Sequence, residues 1–429
     1  MTLNRLIVAC TCLVVMIAFP EAFATDWPQF QGRDRNAVSP EKGLLRTWPE
    51  AGPKVLWSVQ VGPGYGAPSI RDGEVFVLDR KEDKVDILRC ISLADGNELW
   101  NYTYDAPGTF GHTGSRTPPT VDEKYVYSVG MMGDFICTDR KTHQPVWRKN
   151  LVTDFGSDAP RWGVSQSPCL YKDLVIVAAQ AVDAFVVAYD TASGKEVWKS
   201  PGLGLPGYVS PFVTTLAGVE QLVVIAAGNK PGTEKGTTAG ISLGDGKVLW
   251  KYDGWQCYIP IPHPTPLPGD KLFITAGYGA GSAVIQVKKG TSGLEAVEVL
   301  KLAPEVCGSQ IQQPILYKDF LYVNSNSNEE RGGMRCLGLD GTVKWQTSGN
   351  DALPNFDKGA FILADDMIFA IDGKTGKLHL FDPNASGYKE LAQAQVIEGR
   401  ELWAPLALTN GKLLVRSQDV MKCLDVKNP

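Results

Sequence analysis

The sequence predicts an all-β protein: an eight-bladed β-propeller of four-stranded antiparallel blades, the last one closed by an N-terminal strand. Three observations predict it. A hairpin motif ending in Gly-x-x-x-Trp recurs along the chain, a β-rich run recurs eight times, and the C-terminus stops halfway through a motif whose other half lies near the front. A length of 429 residues would ordinarily suggest two or three domains, but a fixed internal period overrides that prior.

The hairpin motif reads CISLADGNELW (90–100), CTDRKTHQPVW (137–147), AYDTASGKEVW (188–198) and GISLGDGKVLW (240–250), with a copy one residue shorter, CLGLDGTVKW (336–345). Each copy predicts a strand, a turn whose Gly tolerates positive φ, and a second strand ending in Trp. A second element is an apolar strand marked by Pro68, Pro119, Pro168, Pro211, Pro266, Pro314 or Pro405. Proline cannot donate to a ladder, so this strand should be innermost or adjoin a loop. The third element is the β-rich run, from EVFVLD (74–79) and YVYSVG (125–130) to MIFAID (367–372) and LLVRSQ (413–418). Its length and composition are those of a strand.

The Trp-equivalent positions fall at Trp57, Trp100, Trp147, Trp198, Trp250, about 300, Trp345 and about 391, with Leu300 and Leu391 as degenerate copies. A competing match, AIDGKTGKLHL (370–380), would put a Trp-equivalent too early. The spacing of 43 to 52 residues suits one four-stranded sheet per repeat. At the C-terminus, Cys423-Leu424-Asp425-Val426 is the first half of a motif, and Lys54-Val55-Leu56-Trp57 supplies the missing half. The segment around Trp57 should therefore pair beside the strand ending at Val426, which removes open sheet edges. Blades packed between two neighbours should be apolar on both faces, and the repeating Trp should wedge between them.

The first residues read as an export signal: Arg5, an apolar run from Leu6 to Phe19, Pro20, and the small-x-small site Ala22-Phe23-Ala24 before Thr25. The expected organisation is a signal peptide over 1–24 cleaved after Ala24, a lead-in over 25–54 and the propeller over 55–429. The mature chain should carry no transmembrane span and should be periplasmic or extracellular. A net charge of -5 offers no basic field for a phosphate backbone, so nucleic acid is not an expected partner.

The hairpin motif resembles the A-x-D-x-x-T-G-x-x-x-W element of the PQQ-like (pyrroloquinoline-quinone-like) propeller superfamily, and the resemblance covers residues 55–426. Asp26-Trp27-Pro28-Gln29-Phe30-Gln31-Gly32 is similar to the lead-in of its exported members. The resemblance implies one of two branches. Quinoprotein dehydrogenases hold the quinone and a calcium ion in the axial funnel, beside a disulfide of adjacent cysteines. BamB-type propellers are scaffolds that assist outer-membrane protein assembly without catalysis. The motif is a packing signature and does not choose between them.

No catalytic signature was found. Past the leader seven cysteines remain, an odd number, and Cys90, Cys137, Cys336 and Cys423 occupy one equivalent slot, as buried filler would. There is no Cys-Cys pair, C-x-x-C-H, EF-hand loop, G-x-S-x-G elbow, P-loop or H-E-x-x-H. The four histidines make no metal-binding pair, so no metal site is expected. The segments entering the Pro strands should rim the central channel, where propellers bind ligands. They carry the candidate ligand residues: Arg116, Trp162, Gln166, Tyr208, His263, Gln310, Gln313, Lys358, Glu401 and Trp403, with Tyr65, His112, Arg161, Tyr258 and Gln312 nearby. Arg116 would clamp an anionic group, or pair with Glu401 or Asp357 to brace the ring. The glutamines would present amides to a sugar or peptide, or satisfy backbone groups.

The expected function is that of an exported, non-catalytic binding or scaffold propeller of the cell envelope, BamB-like. Its partners would be other envelope proteins or an extracellular small molecule or polymer. The alternatives are a PQQ-dependent alcohol or sugar oxidoreductase and a carbohydrate- or polymer-binding module. No cofactor is firmly implied; PQQ with calcium belongs to the oxidoreductase reading alone.

Overall fold

Eight antiparallel four-stranded sheets stand around one axis in the computed structural model, which describes residues 26–179, 181, 183–228 and 236–429. The expected leader lies outside these residues. Blades one to seven span residues 69–105, 120–150, 169–199, 212–252, 265–302, 315–346 and 361–395, and each runs from its first strand to its fourth in chain order. Blade eight takes three strands from residues 407–425 and its fourth from Lys54–Gln60. Trp57 stands opposite Cys423 and Lys54 opposite Asp425, so the two half-motifs join into one hairpin-like seam. First strands of neighbouring blades touch one another, which places them innermost. The prolines sit in these strands or at their entrances. Where the strand has just begun, hydroxyls stitch blade to blade: Ser69 donates to the Pro119 carbonyl, Thr120 to Pro168 and Thr265 to Pro314.

The repeat motif is the blade-to-blade joint. The Trp57 indole donates to the Leu93 carbonyl of the next blade at 3.0 Å, Trp147 to Thr191, Trp198 to Leu243 and Trp345 to Asn384. The motif glycine is where that indole lands. A Cβ on Gly96 would lie 2.9 Å from Trp57, on Gly194 2.6 Å from Trp147, and on Gly246 2.7 Å from Trp198. Blade two has His143 at the glycine position, in a left-handed conformation (φ 61°), and its ring stacks on Trp100 with centroids 4.8 Å apart. Trp250 departs from the pattern and donates to Gln221 of its own blade. All eight blades carry a register shift beside the Trp slot, for example between Cys90 and Ile91.

Two expectations need correction. The degenerate Trp position of blade seven is Ala392, which pairs with Leu380, rather than Leu391. The blades are not apolar on both faces throughout. Middle strands such as Asp134–Asp139 are almost wholly buried, but the outermost strand Glu98–Asp105 buries Trp100 and Tyr104 and exposes Leu99. The outermost strand has water on its far side, so only its inward positions lose solvent. The seven cysteines of the described residues are all buried and unpaired, and four of them, Cys90, Cys137, Cys336 and Cys423, fill the slot opposite the motif Trp.

The lead-in does more than precede the ring. Trp27 bridges to Ile70 of blade one, Val121 of blade two donates to the Pro28 carbonyl, and the buried Arg35 donates to the Pro168 carbonyl at the entrance to blade three. Val38–Ser39 then pairs in parallel with Phe361–Ala364, adding a fifth strand on the axial side of blade seven. The segment thus crosses the central channel and fills it.

Candidate functional site

Above that plug the axis opens into a cavity of about 400 Å³, within the usual range for small-ligand sites. Its walls come from the segments entering the innermost strands, and Phe30 of the lead-in lies at its floor. Those segments are held in register by their own backbone. Tyr65 donates its amide to the Ser115 carbonyl at 2.7 Å, and Tyr208 to Pro260 at 3.0 Å. Gly114 is required at this approach: it has φ +97°, and a Cβ there would lie 2.1 Å from the Pro63 carbonyl oxygen.

An arc of aromatic rings runs around the wall. Trp403 stacks on Tyr65 with centroids 5.8 Å apart; Tyr65 meets His112 edge-on at 6.0 Å, and His112 meets Trp162 edge-on at 6.0 Å. Trp162 then faces Tyr208 at 5.4 Å and Tyr278 at 6.4 Å. Three cations lie over rings of this arc: Arg116 over Tyr65, Arg161 over Trp162 and Lys358 over Trp403.

Arg116 makes neither of the ion pairs that the sequence suggested as an alternative. Its guanidinium donates to the Gly114 carbonyl at 2.9 Å and to the His112 carbonyl, and it forms no ion pair among the described residues. The two carboxylates considered as partners are engaged elsewhere. Asp357 pairs with Arg331 and accepts from the Trp403 indole at 3.2 Å. Glu401 accepts from the Tyr65 hydroxyl and lies 3.6 Å from His112 Nδ1. Burial lowers the Arg116 pKa to about 10, so it stays a cation at neutral pH. Burial, with the Glu401 hydrogen bond adding to it, holds the Tyr65 phenol well above its usual range. Tyr65 therefore remains a proton donor.

Arg116, Trp162, Tyr208, Gln310, Glu401 and Trp403 all line the funnel. Gln166, His263, Gln313 and Lys358 do not form its wall. Gln166 is buried and donates to the Gly207 carbonyl. His263 is buried below the floor, stacked on Phe212 at 4.9 Å and edge-on to Phe30 at 5.9 Å; burial pushes its pKa down to about 3. Gln313 is buried too, and Lys358 lies behind Trp403. The glutamines mostly brace the wall. Gln312 donates to the carbonyls of Lys358 and Trp403, and Gln310 holds the Tyr278 hydroxyl and the Asn328 amide. Tyr258 is exposed and outside the cavity.

Sequence reasoning missed Phe30, Tyr278 and Asn328. The last two come from the second turn of blades five and six rather than from entry segments. A hint was present in Gly277-Tyr278-Gly279, an aromatic residue isolated between glycines. Among the described residues no group of three or more His, Cys, Asp or Glu side chains is arranged to hold a metal, and no helix is long and apolar enough to cross a membrane.

Residues 84–329 match the sequence family described as the outer membrane protein assembly factor BamB. No curated protein sequence matches the chain. The solved structure of BamB from Moraxella catarrhalis is similar at 14% identity and a TM-score of 0.57, covering 87% of this chain and 100% of that one. Quinohemoprotein alcohol dehydrogenase from Comamonas testosteroni superposes at 12% identity and 0.64, covering 94% and 81%. A europium-containing methanol dehydrogenase does so at 14% and 0.61, covering 91% and 89%. At such identities these structures show a shared fold.

Proposed function

This chain belongs to the family of the outer membrane protein assembly factor BamB, and on that premise we propose that it is an exported, non-catalytic binding propeller of the cell envelope whose working surface is the axial funnel. Its partners on this reading are envelope proteins or an extracellular small molecule or polymer, met in the periplasm or outside the cell. One observation carries the reading: the funnel is a blind aromatic cup, floored by Phe30, with a guanidinium on its wall that forms no ion pair among the described residues. Such a cup suits holding a ligand.

The wall does not fit a calcium–quinone centre. Calcium takes six to eight oxygen ligands, several of them carboxylates. Among the described residues Glu401 is the one carboxylate lining the cavity. The buried cysteines provide no disulfide against which a quinone would lie.

The test is a titration of the purified mature protein against a panel of saccharides, peptides and PQQ with calcium, followed by tryptophan fluorescence, alongside Trp162→Ala/Trp403→Ala. Binding by the wild type that weakens at least tenfold in the double variant supports the reading. Stoichiometric PQQ binding with dye-linked alcohol or sugar oxidation overturns it.

A further inference from the structure

Resting on that assignment of the funnel, we propose that its ligand is a carboxylated saccharide, bound by the end of the chain: the carboxylate on Arg116, a sugar ring against the Trp162 and Trp403 side chains that line the cup, and a hydroxyl on Glu401.

The first argument is charge. Two of the five N–H groups of Arg116 go to backbone carbonyls, which leaves three to form a fork. A planar fork matches a carboxylate bidentately. Arg161 and Lys358 lie over rings of the same arc, outside the cavity wall itself, and also form no ion pair among the described residues. The second argument is polarity across one ring. Arg116 lies over the face of Tyr65, 5.6 Å from its centroid, while Glu401 holds the Tyr65 hydroxyl. One ring thus carries a cation over its face and an acceptor at its hydroxyl. A uronate ring, with a carboxylate at one edge and hydroxyls at the others, satisfies both; a dianion with charge at each end would meet Glu401.

The third argument is shape. His112 stands at 85° to Tyr65 and 74° to Trp162, so the wall presents faces and edges in turn. A puckered sugar offers C–H groups to one ring and hydroxyls to the polar groups between, here Ser165, Ser210 and Asn328. The floor provides the fourth argument. Because the lead-in fills the channel beneath Phe30, a polymer cannot thread through and can present only its terminus.

The experiment is calorimetry with trigalacturonate, neutral galactotriose and size-fractionated polygalacturonate, against wild type, Arg116→Gln and Arg116→Lys, with circular dichroism confirming the fold. Trigalacturonate should bind and galactotriose should bind at least tenfold more weakly. Arg116→Gln should erase that difference and Arg116→Lys should restore part of it. Sites on polygalacturonate should scale with the number of chain ends rather than with mass. Equal binding of the neutral trisaccharide, or sites that scale with mass, overturns the inference while leaving the funnel a binding site. Binding of none of the three probes by a folded wild type overturns it as well. Only loss of every panel ligand's dependence on Trp162 and Trp403 removes the underlying assignment.

Discussion

Replacing Gly96 by Ala tests the joint that holds the ring shut. Gly96 has φ +78°, and every close neighbour of a Cβ built there is Trp57: 2.9 Å to Cδ2, 3.0 Å to Cγ and 3.1 Å to Cβ. The substitution costs about 1–2 kcal/mol for a left-handed Ala and about 1–3 kcal/mol for overpacking the indole. Trp57→Ala removes the indole, which is 7% exposed, and its hydrogen bond to Leu93; about 3–5 kcal/mol follows for the cavity. In the double variant the clash has no object, so the combined loss should fall short of the sum by about 1–3 kcal/mol. Gly218→Ala is the control: its φ is +77° with nothing within 4 Å of a Cβ, so about 1–2 kcal/mol is expected. Urea unfolding of the four variants and wild type, followed by circular dichroism, measures these values. Strict additivity of Gly96→Ala and Trp57→Ala, or a Gly218→Ala loss equal to that of Gly96→Ala, would refute the joint.

Three further outcomes follow from the same geometry. Trp198→Phe strands the Leu243 carbonyl, whereas the Trp100 indole N–H has no partner to lose; the first should cost about 1–2 kcal/mol more in chemical denaturation. The Arg80–Asp86 ion pair is closed at 2.5 Å with side chains 1% and 0% exposed, so Arg80→Ala should cost about 3–5 kcal/mol through the stranded carboxylate; a loss under 1 kcal/mol speaks against burial of the charge. His263 has its pKa lowered by burial from 6.5 to about 3, so the unfolded chain binds this proton more readily. Its contribution to stability is complete above about pH 6.5 and declines by about 1.4 kcal/mol per unit as pH falls towards 3. Urea midpoints between pH 7 and 4 should fall more steeply in wild type than in His263→Gln, and equal slopes exclude the effect.

The ring was legible because its instructions are local and repeated. Gly96, Gly194 and Gly246 recur with Trp100, Trp198 and Trp250 at one spacing, and each pair of turn and strand says the same thing. The partner of each glycine is nevertheless the Trp of the preceding blade, as Gly96 with Trp57 shows, and spacing within one motif does not reveal that. Six of the ten candidate residues reach the funnel wall. The other four failed for one reason: entry to the channel is a property of a segment, while facing the cavity is decided residue by residue. Gln310 and Gln313 share a segment, yet only Gln310 lines the cup.

What the sequence determined by itself is the number of blades, their strand order and the closure of blade eight by Lys54–Gln60. A period, a strand-length hydrophobic run and two complementary half-motifs are written along the chain and need no third dimension to read. Only the tertiary structure decided that the lead-in turns inward to fill the channel, that Phe30 floors the cup, and that Arg116 lines it with no ion pair among the described residues. The axis gathers side chains from residue 30 to residue 405 into one cavity. Charge balance and depth there depend on which distant groups meet, and that is a matter of packing rather than of order along the chain.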